Sequence, residues 1–203
     1  MKNSFKVGIK TRSLKQLRPI LFEYLKINKE TVELWNYEDL PWWYNERANL
    51  SLFTGTVWKK GGYALEEYTS DKVSTSKKYQ GRNDLYFFFN KQEYILEAKI
   101  LSQNGNSKSE SIRNRATKLM EIAVADVRKN KLEFSANKLG IVFVIPYFLN
   151  KSTSIENDFN NFLKTMMKLD YSAMGWLYSE KANKLIVDRK WVAPGLVVLL
   201  KKV

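Results

Sequence analysis

Asp84, Glu97 and Lys99 form the most chemically specific pattern in the chain. Asp84 precedes the run Leu85-Tyr86-Phe87-Phe88-Phe89, and a polar break, Asn90-Lys91-Gln92-Glu93, leads into Tyr94-Ile95-Leu96-Glu97-Ala98-Lys99-Ile100. Aromatic and aliphatic flanks around a break of turn character read as a β-hairpin. A four-residue loop that pairs Phe89 with Tyr94 sets Asp84 opposite Lys99 and Tyr86 opposite Glu97. Side chains alternate with period two, so Asp84, Glu97 and Lys99 then share one face of two strands about 5 Å apart. An odd-length loop would put the acids on opposite faces. Two carboxylates and an ammonium on one face suit a hard divalent cation and a phosphate.

The rest of the composition narrows the chemistry. The 203 residues include neither cysteine nor histidine. Disulfides, zinc–thiolate sites, Ser-His and Cys-His catalysis and imidazole bases are therefore excluded. Hydrolysis would have to rest on carboxylates, lysines, hydroxyls and a metal held by oxygen. Lys and Arg total 34 against 21 acids, a formal charge of +13. That excess favours a polyanionic partner, chiefly nucleic acid. No apolar run reaches the roughly 18 residues of a membrane span. Met1-Lys2-Asn3-Ser4-Phe5 lacks the apolar region of a signal peptide, which gives a cytoplasmic, membrane-free expectation.

The elements that must position these residues follow from local pattern. Leu14, Leu17, Leu21 and Leu25 stripe a helix over 13–27, started either by a Ser13/Gln16 capping box or by Pro19. Asp39 and Pro41 start a second helix, to Lys60, that stops at Gly61-Gly62. A short helical piece is expected over 63–68 and a loop or ragged strand over 69–81. After the hairpin, 102–106 reads as loop. Ser107 and Glu110 then cap a helix striped by Ile112, Ala116, Leu119, Met120, Ala123 and Val127. Residues 139–148 read as a buried central strand. A helix is marked by Ile155, Phe159, Phe162, Leu163 and Met166. Strands at 173–178 and 184–187 are expected to pair, and 196–201 is the last strand. The order implies an α/β fold in which a central mixed β-sheet is flanked by helices. A single domain over 1–203 is expected, with its core at about 40–148, an N-terminal helical extension, and C-terminal strands that complete the sheet.

Gly81-Arg82-Asn83-Asp84, then Glu97-Ala98-Lys99, followed by a helix and an apolar strand, resembles the PD-(D/E)xK nuclease superfamily, with its restriction-endonuclease-like core. Asn83 stands where the family name has proline. The resemblance implies Mg2+-dependent phosphodiester hydrolysis, with Mn2+ as a substitute. Asp84 and Glu97 would be the metal ligands and Lys99 would orient water or stabilise charge. Glu46, from the preceding helix, would be a further acid. The implied partner is nucleic acid, chiefly double-stranded DNA, in a setting such as phage defence. A homodimer is an open option. A rival acid-x-Lys run, Asp188-Arg189-Lys190 with Glu180 upstream, lacks the following crossover helix.

Other residues carry weaker signals. Arg82, beside Asp84, and Arg113, Arg115 and Lys118, off the apolar stripe of the crossover helix, are candidate phosphate contacts. Arg113, Arg115 and Lys118 also fit a solvated basic face, and Arg82 also fits pairing with an acid. Trp35, Tyr37, Trp42, Trp43 and Tyr44 suit core packing better than base stacking. Two alternatives to a nuclease stay open. One is a nucleic-acid-binding protein of the same fold with little or no cleavage. The other is an interaction protein whose basic surface takes an acidic partner.

Overall fold

Apolar residues at alternating positions along the strands bury both faces of one mixed sheet, and this layer carries the candidate acids. The described residues of the computed structural model are 4–74, 77–130, 136–152 and 154–203, without the side chains of 74, 77 and 78. Among them the sheet has nine strands. These are β1 (Ser4–Ile9), β2 (Tyr63–Ser74), β3 (Lys77–Phe89), β4 (Gln92–Asn104), β5 (Asn137–Leu149), β6 (Ala173–Tyr178), β7 (Ile186–Asp188), β8 (Trp191–Val192) and β9 (Gly195–Lys202). The main path runs β1-β6-β9-β5-β4-β3-β2, with β7 and β8 as a small side ladder on β5. Only β4 and β5 pair in parallel; the other ladders are antiparallel.

Helices α1 (Arg18–Leu34) and α2 (Glu46–Lys59) cover one face, and α3 (Ser109–Arg128) and α4 (Ile155–Met166) cover the other. Leu96 and Ala98 of β4 point into the first layer and Leu101 into the second. The odd-numbered residues Glu97, Lys99 and Gln103 therefore face the α3 side. β5 is buried from Leu139 to Ile145, as the continuous apolar run requires of a central strand. The α3 stripe is buried at Ile112, Ala116, Met120, Ala123 and Val127. No described helix is long and apolar enough to cross a membrane.

Several local expectations need correction. The hairpin turns on two residues, not four. Asn90 and Lys91 take φ of 48° and 60°, the left-handed pair of a two-residue hairpin turn, so Phe89 pairs with Gln92. The helix expected over 63–68 is the start of β2. Tyr63 and Leu65 point outward and Ala64 inward, a period of two, in register with β3. The loop or ragged strand over 69–81 is the rest of β2 and the start of β3, apart from 75–76, which lie outside the described residues. β4 continues through Asn104, into the span expected as loop.

Capping also departs from expectation in places. Pro19, near the helix start, opens α1, after a 3-10 turn at Arg12–Leu17. Pro41 opens only a 3-10 turn, Pro41–Trp43. α2 starts at Glu46 instead, capped by Asn45, whose side chain accepts the Ala48 N–H at 3.0 Å. α3 begins without the Ser107/Glu110 box, since Lys108 is its N-cap and makes no side-chain cap bond. β6 pairs with β1 and β9 and not with residues 184–187. The β1 strand at this edge was absent from the sequence expectation.

Candidate active site

The site forms where β3 leaves β4 and where its pairing with β2 is interrupted at one position. On one side, β2 and β3 pair at Glu66↔Leu85 and again at Tyr68↔Asn83, but not in between. Glu67, which falls opposite Asp84, has a positive φ of 51°, an uncommon conformation for a residue other than glycine. On the other side, the β3–β4 ladder ends at Leu85↔Leu96. Extending that register puts Asp84 across from Glu97, two positions from the expected partner Lys99. A two-residue loop and a four-residue loop have the same parity, so Asp84 and Glu97 still share a face.

Past Leu96 the β4 backbone has lost its antiparallel partner on this side, and its N–H groups need acceptors. A side chain supplies one. The Asp84 carboxylate accepts the Ala98 N–H at 2.7 Å. The Glu46 carboxylate, from the first turn of α2, lies near the Ile100 N–H, which favours its charged form. Asp84 thus caps one outward amide of the Glu-Ala-Lys strand, and Glu46 lies near the next. Glu46 also feels the charges of Lys99 and Asp84, and partial burial leads the causes that raise its pKa.

Glu97 is 4% exposed. Burial pushes its carboxyl up to about 7. The Lys72 hydrogen bond works against that shift, while Asp84, within hydrogen-bond reach, adds to it. Lys72, on β2, donates to Glu97 Oε1 at 2.7 Å and to the Arg82 carbonyl at 2.5 Å. Lys99 is about a quarter exposed. Its ammonium donates to its own neighbour, the Ala98 carbonyl, at 2.6 Å, and lies 4.0 Å from Asp126 of α3.

The pair fits a hard divalent cation. Asp84 is close enough to Glu97 to make ionisation of Glu97 more costly, and Mg2+ commonly takes one or two carboxylates plus water and substrate phosphate. Among the described residues no group of three or more acids is placed to hold a metal by itself, so water and phosphate would complete the shell.

The structure thus places Asp84 beside Glu97, with Glu46 and Lys99 within electrostatic range of one another. The arginines lie elsewhere. Arg82 is exposed and donates to Glu67 at 3.0 Å, and Arg47 pairs with the same carboxylate. Arg115 donates to Gln103 at 2.9 Å. Gln103 is six residues beyond Glu97 along β4, roughly 20 Å at strand rise. Arg113 and Lys118 share that N-terminal half of α3, half-buried and exposed respectively. The rival run does not build a site: Asp188 ends β7, Arg189 has φ of 48° in the turn, and Lys190 lies over the Trp191 ring. Trp42 is fully buried and donates to the Ala193 carbonyl at 3.1 Å, the core role expected of it.

Sequence reasoning missed Lys72 and Glu67. Glu67 sits in a segment read as helix and Lys72 in one read as loop or ragged strand, and no spacing motif connects them to Asp84. No protein-family model matches the sequence, and a search of curated proteins finds no match.

Proposed function

We propose that the chain is a Mg2+-dependent nuclease of the PD-(D/E)xK type, with a restriction-endonuclease-like core, that hydrolyses phosphodiester bonds in DNA. One observation carries this reading. Asp84 and Glu97 meet where β3 parts from β4, and β4 leads through α3 into the parallel strand β5. The element order α2, β2, β3, β4, α3, β5 matches the arrangement that the resemblance implies. In this reading Asp84 and Glu97 hold Mg2+ or Mn2+. The bound ion would lower the pKa of water and offset phosphate charge. Lys99 and the second lysine, Lys72, supply fixed positive charge beside the acids. Glu46 adds a further negative charge beside Asp84 and Lys99. In the reaction a water molecule gives up a proton to solvent as its oxygen bonds to phosphorus, the ester P–O bond breaks, and the leaving oxygen takes a proton from solvent. The formal charge of +13 favours a polyanionic substrate.

A second reading, binding of nucleic acid with little cleavage, is favoured by one observation: Glu97 is enclosed and already paired with Lys72. Incubation of supercoiled and linear DNA with the protein in Mg2+, Mn2+ or EDTA separates the two. Metal-dependent nicking, linearisation or shortening is the expected result. DNA retained without product under every metal condition favours the second reading.

A further inference from the structure

Three separate elements place the Lys72 ammonium. The first is its own strand: Lys72 is bridged to Asn130, just past α3, and the next amide, Val73, donates to the Lys129 carbonyl at 2.8 Å. The second is Gly81 on β3. A Cβ there would lie 2.5 Å from Lys72 Cδ and 3.0 Å from Cγ, so the lysine stem crosses the strand only because position 81 has no side chain. The third is the acceptor pair, Glu97 Oε1 and the Arg82 carbonyl, which hold the ammonium with its side chain 9% exposed. Lys99, the lysine of the motif, turns instead to the Ala98 carbonyl. The lysine in contact with the buried acid is therefore the one on β2.

We propose that Lys72 is the resident cation of the site: it holds Glu97 in the metal-free protein, yields that oxygen to a divalent cation, and then meets a non-bridging oxygen of the substrate phosphate. The inference rests on the nuclease reading for its last step only. The physical argument is electrostatic. An enclosed ammonium that loses its carboxylate is costly unless another anion replaces it. A phosphate held by the same metal supplies that anion. Without DNA, the cation must displace Lys72 with no compensation, so Lys72 weakens metal binding in the free protein and strengthens the complex with substrate.

The test compares wild type, Lys72→Met and Gly81→Ala in two measurements: Mn2+ affinity of the DNA-free protein, read from the thermal shift on titration, and plasmid cleavage. Lys72→Met removes the competing charge. Gly81→Ala keeps the charge but pushes the stem off its path, so it gives the same readouts should Lys72→Met fail to fold. The proposal expects each folded variant to bind Mn2+ about tenfold more tightly and to cleave at least about 100-fold more slowly, the scale of losing one aimed charge in a transition state. Unchanged or weaker Mn2+ affinity in the folded variants overturns the exchange of Lys72 for metal, as does an absence of Mn2+ binding in all three proteins. Tighter Mn2+ binding with wild-type cleavage overturns the phosphate contact. If wild type cuts no DNA, the nuclease reading fails and the phosphate contact with it, while the Mn2+ titration still decides whether Lys72 guards Glu97.

Discussion

The Asp84 carboxylate accepts the Ala98 N–H at 2.7 Å, a position that a ladder partner would fill if β3 continued alongside β4. Asp84 therefore has a structural duty in addition to any chemical one. Asp84→Ala leaves that amide without its partner, a loss of about 1–3 kcal/mol. Asp84→Asn keeps an acceptor oxygen and should retain most of the stability. Chemical denaturation of the two variants checks this. Equal stability would mean that water replaces the carboxylate at no cost.

Glu23 gives the fold a defined acid sensitivity. It is 3% exposed on α1 and forms ion pairs with Lys59 and Lys60, both at 2.7 Å, at the C-terminal end of α2. Those two ammonium groups lower its carboxyl from 4.5 to about 2, more than burial raises it. A depressed folded pKa contributes stability above the unfolded value, and that contribution is lost as pH falls through the folded value. Wild type should therefore be more stable than Glu23→Gln at pH 7, with the gap narrowing from about pH 4.5 toward pH 2. Melting temperatures of both proteins across that range test the sign. A gap that is constant with pH would remove Glu23 from the account.

DNA affinity should depend on salt. If about four phosphate contacts form, the log–log slope of affinity against salt is near −3 to −4. Arg113→Ala and Lys118→Ala should each flatten it by up to about one unit if each makes a contact. Arg115→Ala is a less clean probe, because it also frees Gln103, which is 1% exposed and accepts from Arg115. Unchanged slopes would assign this half of α3 to solvent.

Much of this arrangement was legible in the sequence because it depends on parity and periodicity. The hairpin register was off by two residues, since Asn90 and Lys91 alone make the turn. A shift of two leaves each side chain on its face, so Asp84 and Glu97 still converge. The α3 stripe and β5 were legible because each buries one continuous apolar pattern. β2 was not. Its residues Glu66, Glu67 and Lys72 suit helix or loop locally, and only pairing with β3 makes them strand. Lys72 was hidden for the same reason, since it meets Glu97 across 25 positions through a gap left by Gly81. No local pattern encodes that contact.

The most direct measurement of the central claim is metal-dependent cleavage by wild type, Asp84→Asn, Glu97→Gln, the double variant and Asp188→Ala, each shown by its melting curve to be folded. The nuclease reading expects Mg2+-dependent product from wild type and Asp188→Ala. It expects a loss of about 100-fold or more in each single site variant, and little further loss in the double variant, because groups that hold one ion fail as a unit. Cleavage near the wild-type rate in folded Asp84→Asn and Glu97→Gln would contradict the account.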